Sequence, residues 1–482
     1  MVMNDVSVYI DKNLRYDESL CLYDKYPEFH SCQFISNTSN HLYNAIRNVL
    51  HNLGLDSDNY GTENWNPLGD IINPGNKVVI KPNLVLHCNG KSPNIDAVVT
   101  NAAVIKPIID YTLLALKDSG EIVIADAPQA NADFEKIVQR NGLEKLVSSY
   151  KNCGISISLI DLRKNKYIGG FDTGIRQELL GDPKGYILCD LAEKSFLNHI
   201  DNMDKLYGSD YDRKFIVGQH TNHHNYLFSK TVLDADVVIN IPKMKTHRKA
   251  GVTLNSKNMV GANGDKNYLA HFRVGSGKQG GDEFPNEMVL PGIIHYKWVR
   301  YASDHILIKN TKLSRRIYRL LNLPFAGLHL LYKIITGTDY YIGHGDWYGN
   351  DTVWRMCLDL NQILLYCDNQ GLIHDFPQRK YFCLVDGIIA GESDGPLHPK
   401  EKNVGYLACG FNPFLVDYIC AYHMGFDPLK IPVIKNAMLS PVFSYDINDI
   451  NVLCVDNNKV IDYRNVNMRF CAQDNWKGHI ER

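Results

Sequence analysis

Residues 242–266, PKMKTHRKAGVTLNSKNMVGANGDK, place Lys243, Lys245, His247, Arg248, Lys249 and Lys257 ahead of the first carboxylate, Asp265. The segment follows the apolar run VVINI. Cations gathered past a buried strand suit the holding of an anion. Lysine is a compact, mobile charge matched to phosphate or carboxylate. Gly261 and Gly264 in GANGDK would let backbone N–H groups approach the same anion. A solvated basic loop is the plain alternative, but such loops usually alternate in sign. Neither a Walker loop nor a strand-following G-x-G-x-x-G is present. His247 and His271 flank the stretch. A histidine among lysines is held neutral and can act as a base; phosphate contact or loop packing is the equal alternative.

Four segments share one form: KVVIKPN (77–83), EIVIADAP (121–128), DVVINIPK (236–243) and FCLVDG (382–387). Continuous β-branched runs suit strands covered on both faces, as in parallel sheets. Open α/β sheets bind ligands beyond the carboxyl ends of their strands. Lys81, Asn83, Asp126, Asn240, Lys243, Lys245 and Asp386 are therefore expected along one rim, ammonium groups facing carboxylates. In DGIIAGESDGP, Asp386 and Glu392 could hold Mg²⁺, which takes one or two acids plus substrate phosphates. Turn chemistry is the alternative there.

Helical patterns lie between these runs. Ala102–Lys117 carries an apolar face and ends before Gly120, with Pro107 predicting a kink or late start. Asp133–Tyr150 predicts a helix broken at Gly142, and Pro413–Met424 one capped by Asn412. The fold class is α/β: a mostly parallel sheet with flanking helices, an inserted subdomain and a helical insertion. The expected division is an N-terminal extension (1–74), an α/β core (75–162, 231–262 and 380–430), an inserted subdomain (163–230), a loop and helical insertion (263–379) and a C-terminal hairpin region (431–482) turning at Asp456-Asn457-Asn458.

The 482 residues carry a net charge of −2, so nothing draws the whole chain to nucleic acid. Twelve cysteines contain no C-x-x-C pair, which speaks against zinc ribbons and clustered iron–sulfur ligation. The opening MVMNDVSVYIDKN has no basic region followed by a long apolar one. The expectation is a cytoplasmic protein, with contact at the inner face of a membrane as its variant.

That variant rests on residues 309–333, KNTKLSRRIYRLLNLPFAGLHLLYK. They read as a basic amphipathic helix followed by an apolar hairpin or second helix, suited to a membrane surface or a lipid-linked substrate. The competing reading is a buried helical pair whose arginines face water. The adjoining HGDWYGNDTVWRM, with His344 and Asp346 beside two tryptophans, has the composition of a sugar-binding surface. His220, His223 and His224 suggest a metal cluster by count but lack a matching carboxylate motif.

The motifs PKMKTH, SKNMVGANGDK, AHFR and VDGIIAGESDGP, with KPN, IADAP and CGFNPFLVDYICAYHMGFDP, resemble the family called Domain of Unknown Function 362, over roughly residues 75–160 and 230–430. The resemblance implies no assigned activity. It points to Lys81, Asn83, Asp126, Lys243, Lys245, His247, Lys257, Asn258, Lys266, His271, Asp386, Glu392 and Asp417 as positions matching the family's recurrent polar residues. Many relatives carry a ferredoxin-type module. This sequence has no such cysteine cluster, so no protein-ligated iron–sulfur cluster is expected.

Three functions remain open from sequence. The first is an enzyme on a small anionic substrate, with cell-surface polysaccharide synthesis as its setting, Lys243, Lys245 and Lys257 binding the anion together with Lys81, Asn83, Asn258 and Lys266. In that reading His247 or His271 moves a proton, and Asp126 and Asp386 position a metal or hydroxyl. The second is a non-catalytic protein docking at a membrane-bound complex. The third is redox work with a partner's cluster.

Overall fold

The computed structural model describes residues 5–16, 25–30, 40–117, 119–168, 175–208, 213–309, 311–336, 343–443, 445 and 447–482. All four apolar runs form strands of one sheet: Lys77–Pro82, Glu121–Asp126, Val237–Ile241 and Lys380–Glu392. The order across this part is Lys380–Glu392, Val237–Ile241, Lys77–Pro82, Glu121–Asp126 and Ser158–Asp161, every neighbouring pair parallel. Beyond it the sheet continues antiparallel through Lys400–Gly410 to Asp5–Ile10. The opening VSVYI thus joins the central sheet, and the C-terminal hairpin extends its edge, Asn451–Asp456 lying parallel to Asp5–Ile10. Asn457 and Asn458, at φ 46° and 62°, turn that hairpin; two successive left-handed residues fit the twist of tight antiparallel ribbons.

Alternate side chains feed two cores. Val79, Val123 and Val238 belong to one, while Val78, Ile80, Ile122, Ile124, Val237 and Ile239 belong to the other. Both faces are buried, so the strands need no polar alternation.

The flanking helices follow their caps. Ala102–Leu116 begins at once behind its Asn101 cap, with Pro107 inside it, so the late start is corrected. Phe134–Arg140 and Leu143–Asn152 are separate helices, parted by Gly142 at φ 86°. Pro413–Met424 starts behind Asn412, whose side chain accepts from Phe414 and Leu415. Within the insertion expected at 263–379, Leu290–His305 is a helix. Residues 312–336 form one helix with Pro324 inside it rather than a helix and hairpin. Between residues 165 and 229 lie two small antiparallel ribbons, Asn165–Ile168 with Ile175–Glu178 and Tyr186–Asp190 with Asn225–Ser229.

Candidate functional site

The chain leaves the Val237–Ile241 strand through Pro242 and continues as Lys243–His247, which pairs with the far half of Lys380–Glu392. Side chains of Lys243–His247 alternate sides, so Lys243, Lys245 and His247 share one face. They lie beyond the strand ends that carry Asn83, Asp126 and Asn240. A cavity of about 310 Å³ opens there, lined by Asn83, Asp126, Lys245, His247, Lys257, Asn258, Lys266 and His271 among the expected residues. Lys81, Lys243, Asp386 and Glu392 do not line it.

Those four are committed to buried pairs. Lys81 Nζ donates to Asp126 Oδ1 at 2.7 Å, and Asp126 Oδ2 accepts from the Leu84 N–H at 2.7 Å. Lys243 Nζ lies 3.0 Å from Asp386 Oδ2, which also accepts from the Asn101 N–H; Tyr16 donates to Asp386 Oδ1 at 2.8 Å. Glu392 Oε2 accepts from Lys402 Nζ at 2.8 Å and from the Cys471 N–H at 3.0 Å. Each carboxylate expected to hold a metal is thus already supplied with protein donors. The rim does gather ammonium and carboxylate groups as the strand ends predicted, but Lys243–Asp386 lies outside the cavity lining and Lys81–Asp126 reaches it only through Asp126.

Gly261 closes this arrangement. A Cβ there would stand 1.8 Å from Asp126 Oδ1 and 2.6 Å from Lys81 Nζ. The glycine therefore serves close packing on the ion pair.

The basic stretch divides by partner. Arg248 reaches Asp394 at 2.8 Å and Asp346 at 3.5 Å, and Lys249 reaches Asp346 Oδ1 at 2.8 Å. Lys266 Nζ donates to the carbonyls of Ala127 (2.9 Å), Val260 (3.0 Å) and Asn263 (3.4 Å). Its three donors are spent on staples, which corrects the expectation of a free anion ligand. Burial pushes it down to about 7. Lys245 Nζ, fully buried, donates to Asn83 Oδ1 at 3.1 Å and to the Val98 carbonyl. Burial first, then Lys243 and Lys257, hold it well below the ordinary lysine range. Lys257 lines the cavity, half-buried, with no hydrogen-bond or ion-pair partner among the described residues.

A chain of amides runs from Lys245 through Asn83. Asn83 Nδ2 donates to Asn258 Oδ1 (3.0 Å), Asn258 Nδ2 to Asn240 Oδ1 (2.7 Å), and Asn240 Nδ2 to the Tyr381 hydroxyl (2.8 Å). The short helix Asn255–Asn258 carries Lys257 and is held by Asp417 from the Pro413–Met424 helix. Asp417 takes its donors from the backbone and side chains of Asn255 and Ser256.

The two histidines take opposite roles. His247 Nδ1 faces the N–H groups of Lys249 (3.0 Å) and Ala250 (3.2 Å), so Nδ1 is the acceptor and Nε2 carries the proton. His271 Nδ1 lies 2.9 Å from the Leu269 carbonyl, which can only accept, so Nδ1 is protonated and Nε2 holds a lone pair. Burial, then Lys257 and Lys249, push His271 down to about 3 and His247 well below its usual range. His271 therefore presents a lone pair at Nε2, whereas His247 presents an N–H there.

Sequence reasoning missed parts of the wall. His344 and Asp346 line the cavity although about a hundred residues from the basic stretch, and Val85, Leu269 and Leu397 make an apolar side. The sugar-surface reading does not hold for the two tryptophans: Trp354 is buried and Trp347 donates to the Asp282 carbonyl. His220, His223 and His224 do not converge on a shared ligand: His220 Nε2 meets the Tyr268 carbonyl, and His223 pairs with Asp190.

A sequence model of the family described as "Domain of unknown function (DUF362)" matches residues 78–175 and 190–422. The chain is similar to a thylakoid-associated protein of Synechocystis sp., at 20% identity over 399 residues, covering 82% of this chain and 78% of that one. Among solved structures it is similar to a Thermotoga maritima protein determined by a structural genomics consortium, at 11% identity and a TM-score of 0.31. That match covers 78% of this chain and 58% of the other.

Proposed function

We propose that this chain, which belongs to the DUF362 family, is an enzyme that binds a small phosphate- or carboxylate-bearing substrate at the strand-end cavity and moves a proton through His271. One observation carries the reading: the Lys257 ammonium faces a cavity beside Lys245 with no carboxylate partner among the described residues. A half-buried cation without a counter-ion is costly, and a bound anion relieves that cost. In this account Lys257 and His247 Nε2–H contact the anionic group, and Lys245 adds charge when the anion arrives. His271 Nε2 supplies the lone pair that accepts a proton. A bound anion would also raise the basicity of His271 by offsetting the lysines that depress it. The apolar side formed by Val85, Leu269 and Leu397 takes the uncharged part of the substrate.

Thermal-shift screening of the purified protein against small phosphates, carboxylates and uncharged analogues tests this reading. Stabilisation confined to the anions supports it; equal stabilisation by uncharged analogues contradicts it.

A further inference from the structure

The helices Leu290–His305 and Lys312–Thr336 stand outside both cores: none of the described residues of 290–336 belongs to either hydrophobic cluster. They pack on each other through an aromatic seam. Trp298 stacks with Tyr318 and Phe325, at centroid distances of 6.5 and 5.9 Å, and donates from Nε1 to Asn322 at 3.1 Å. That seam takes positions 318, 322 and 325, one face of the longer helix. On another face Leu313, Ile317, Leu320, Leu328, Leu331 and Ile335 recur at helical spacing and are 41–73% exposed. Leu290, Ile294 and Tyr301 of the shorter helix are exposed as well, at 67, 50 and 55%. An apolar stripe of this length on a water-facing helix is unexplained by the fold itself.

Charge identifies what covers it. Residues 305–338 contain no Asp or Glu, yet hold Lys309, Lys312, Arg315, Arg316, Arg319 and Lys333. Arg315 is turned inward, whereas Lys312, Arg316 and Arg319 are exposed beside the leucines. Basic side chains bordering a continuous apolar stripe complement an anionic bilayer surface, leucines entering the acyl boundary and cations meeting the head groups. No helix of the described residues is long and apolar enough to cross a membrane. We propose that the apolar face of the Leu290–His305 and Lys312–Thr336 pair lies on an anionic phospholipid surface. The exposure of these leucines contradicts the competing reading of a buried helical pair. Arg300 of the shorter helix stands 3.6 Å from Glu283 and over the rings of Tyr207 and Phe272. Phe272 follows His271, so the membrane face is tied to the cavity wall.

The proposal is independent of what occupies the cavity. Its test is flotation of the full chain with phosphatidylcholine vesicles, with and without phosphatidylglycerol. Two exposed-residue variants accompany it, Arg316→Glu/Arg319→Glu and Leu320→Ser/Leu328→Ser/Leu331→Ser, each checked for a native circular dichroism spectrum. Binding is expected only with phosphatidylglycerol, weakened by raised salt, and reduced about ten-fold or more by either variant, since both charge and apolar burial contribute. Absence of vesicle binding, or binding indifferent to both variants, overturns it. Self-association or capture of an acidic protein that needs the leucines, in a chain that ignores vesicles, also overturns it in favour of a protein partner.

Discussion

Asp417 holds Asn255 twice: its Oδ1 accepts from the Asn255 backbone N–H at 2.8 Å and from the Asn255 side-chain amide at 2.9 Å. Its Oδ2 meanwhile accepts from the Ser256 N–H at 2.9 Å. A carboxylate in one helix thereby fixes the start of the short helix that presents Lys257. Burial raises Asp417 to about 6 against these hydrogen bonds. Asp417→Asn keeps the shape but replaces one acceptor oxygen with a donor. We expect a loss of about 1–3 kcal/mol from the unmet buried N–H groups, with weakened anion binding because Lys257 is no longer held. Urea denaturation and calorimetry check the two effects; an unchanged variant in both would remove Asp417 from the account.

Gly261→Ala sets a Cβ against the Lys81–Asp126 pair. Disrupting a buried ion pair typically costs about 3–5 kcal/mol, so the expected loss is of that order. A denaturation midpoint equal to the parent's would show that the close approach has room to relax.

His247 and His271 should separate by function. His247→Gln is expected to weaken anion binding roughly ten-fold, the worth of one charge-assisted hydrogen bond. His271→Gln should leave binding within about two-fold and remove proton transfer, which contributes about 10²–10⁴ to rate. Equal effects of both on binding would contradict the opposite tautomers.

Lys266 sets a pH dependence of stability. Its folded value near 7 lies below its ordinary 10.5. Between those limits the unfolded chain binds more protons, so this group's contribution makes stability rise with pH across that window. Below 7 its full penalty is present. Chemical denaturation across pH should therefore show the parent gaining on Lys266→Met as pH rises from 7. A gap that narrows instead would contradict the depressed value.

The sheet was legible because each strand is covered on both faces and so writes an unbroken apolar run, as in VVINI and KVVIKPN. The rim followed from topology and brought Lys245 with it, while Lys257 and His271 came from the basic stretch and its flank. Which cations were free was not legible. Asp386 lies 143 residues from Lys243, and no local pattern pairs them. Asp346 likewise neutralises Lys249 across a long insertion. The helical pair stayed open between a membrane face and a buried pair because amphipathic spacing records two faces without saying which is covered. Trp298 claimed the aromatic face and left the leucines outside.

The central claim is that uncompensated cations hold an anion. It is tested most directly by calorimetric titration of the purified chain and of Lys257→Met with inorganic phosphate. The account predicts binding with proton uptake at Lys245, whose depressed ammonium a bound anion restores, while His271 stays neutral, hence affinity falling as pH rises. It also predicts a loss of about ten-fold or more in Lys257→Met, the worth of one charged contact. No phosphate binding by the parent, or equal binding by both proteins, would contradict it.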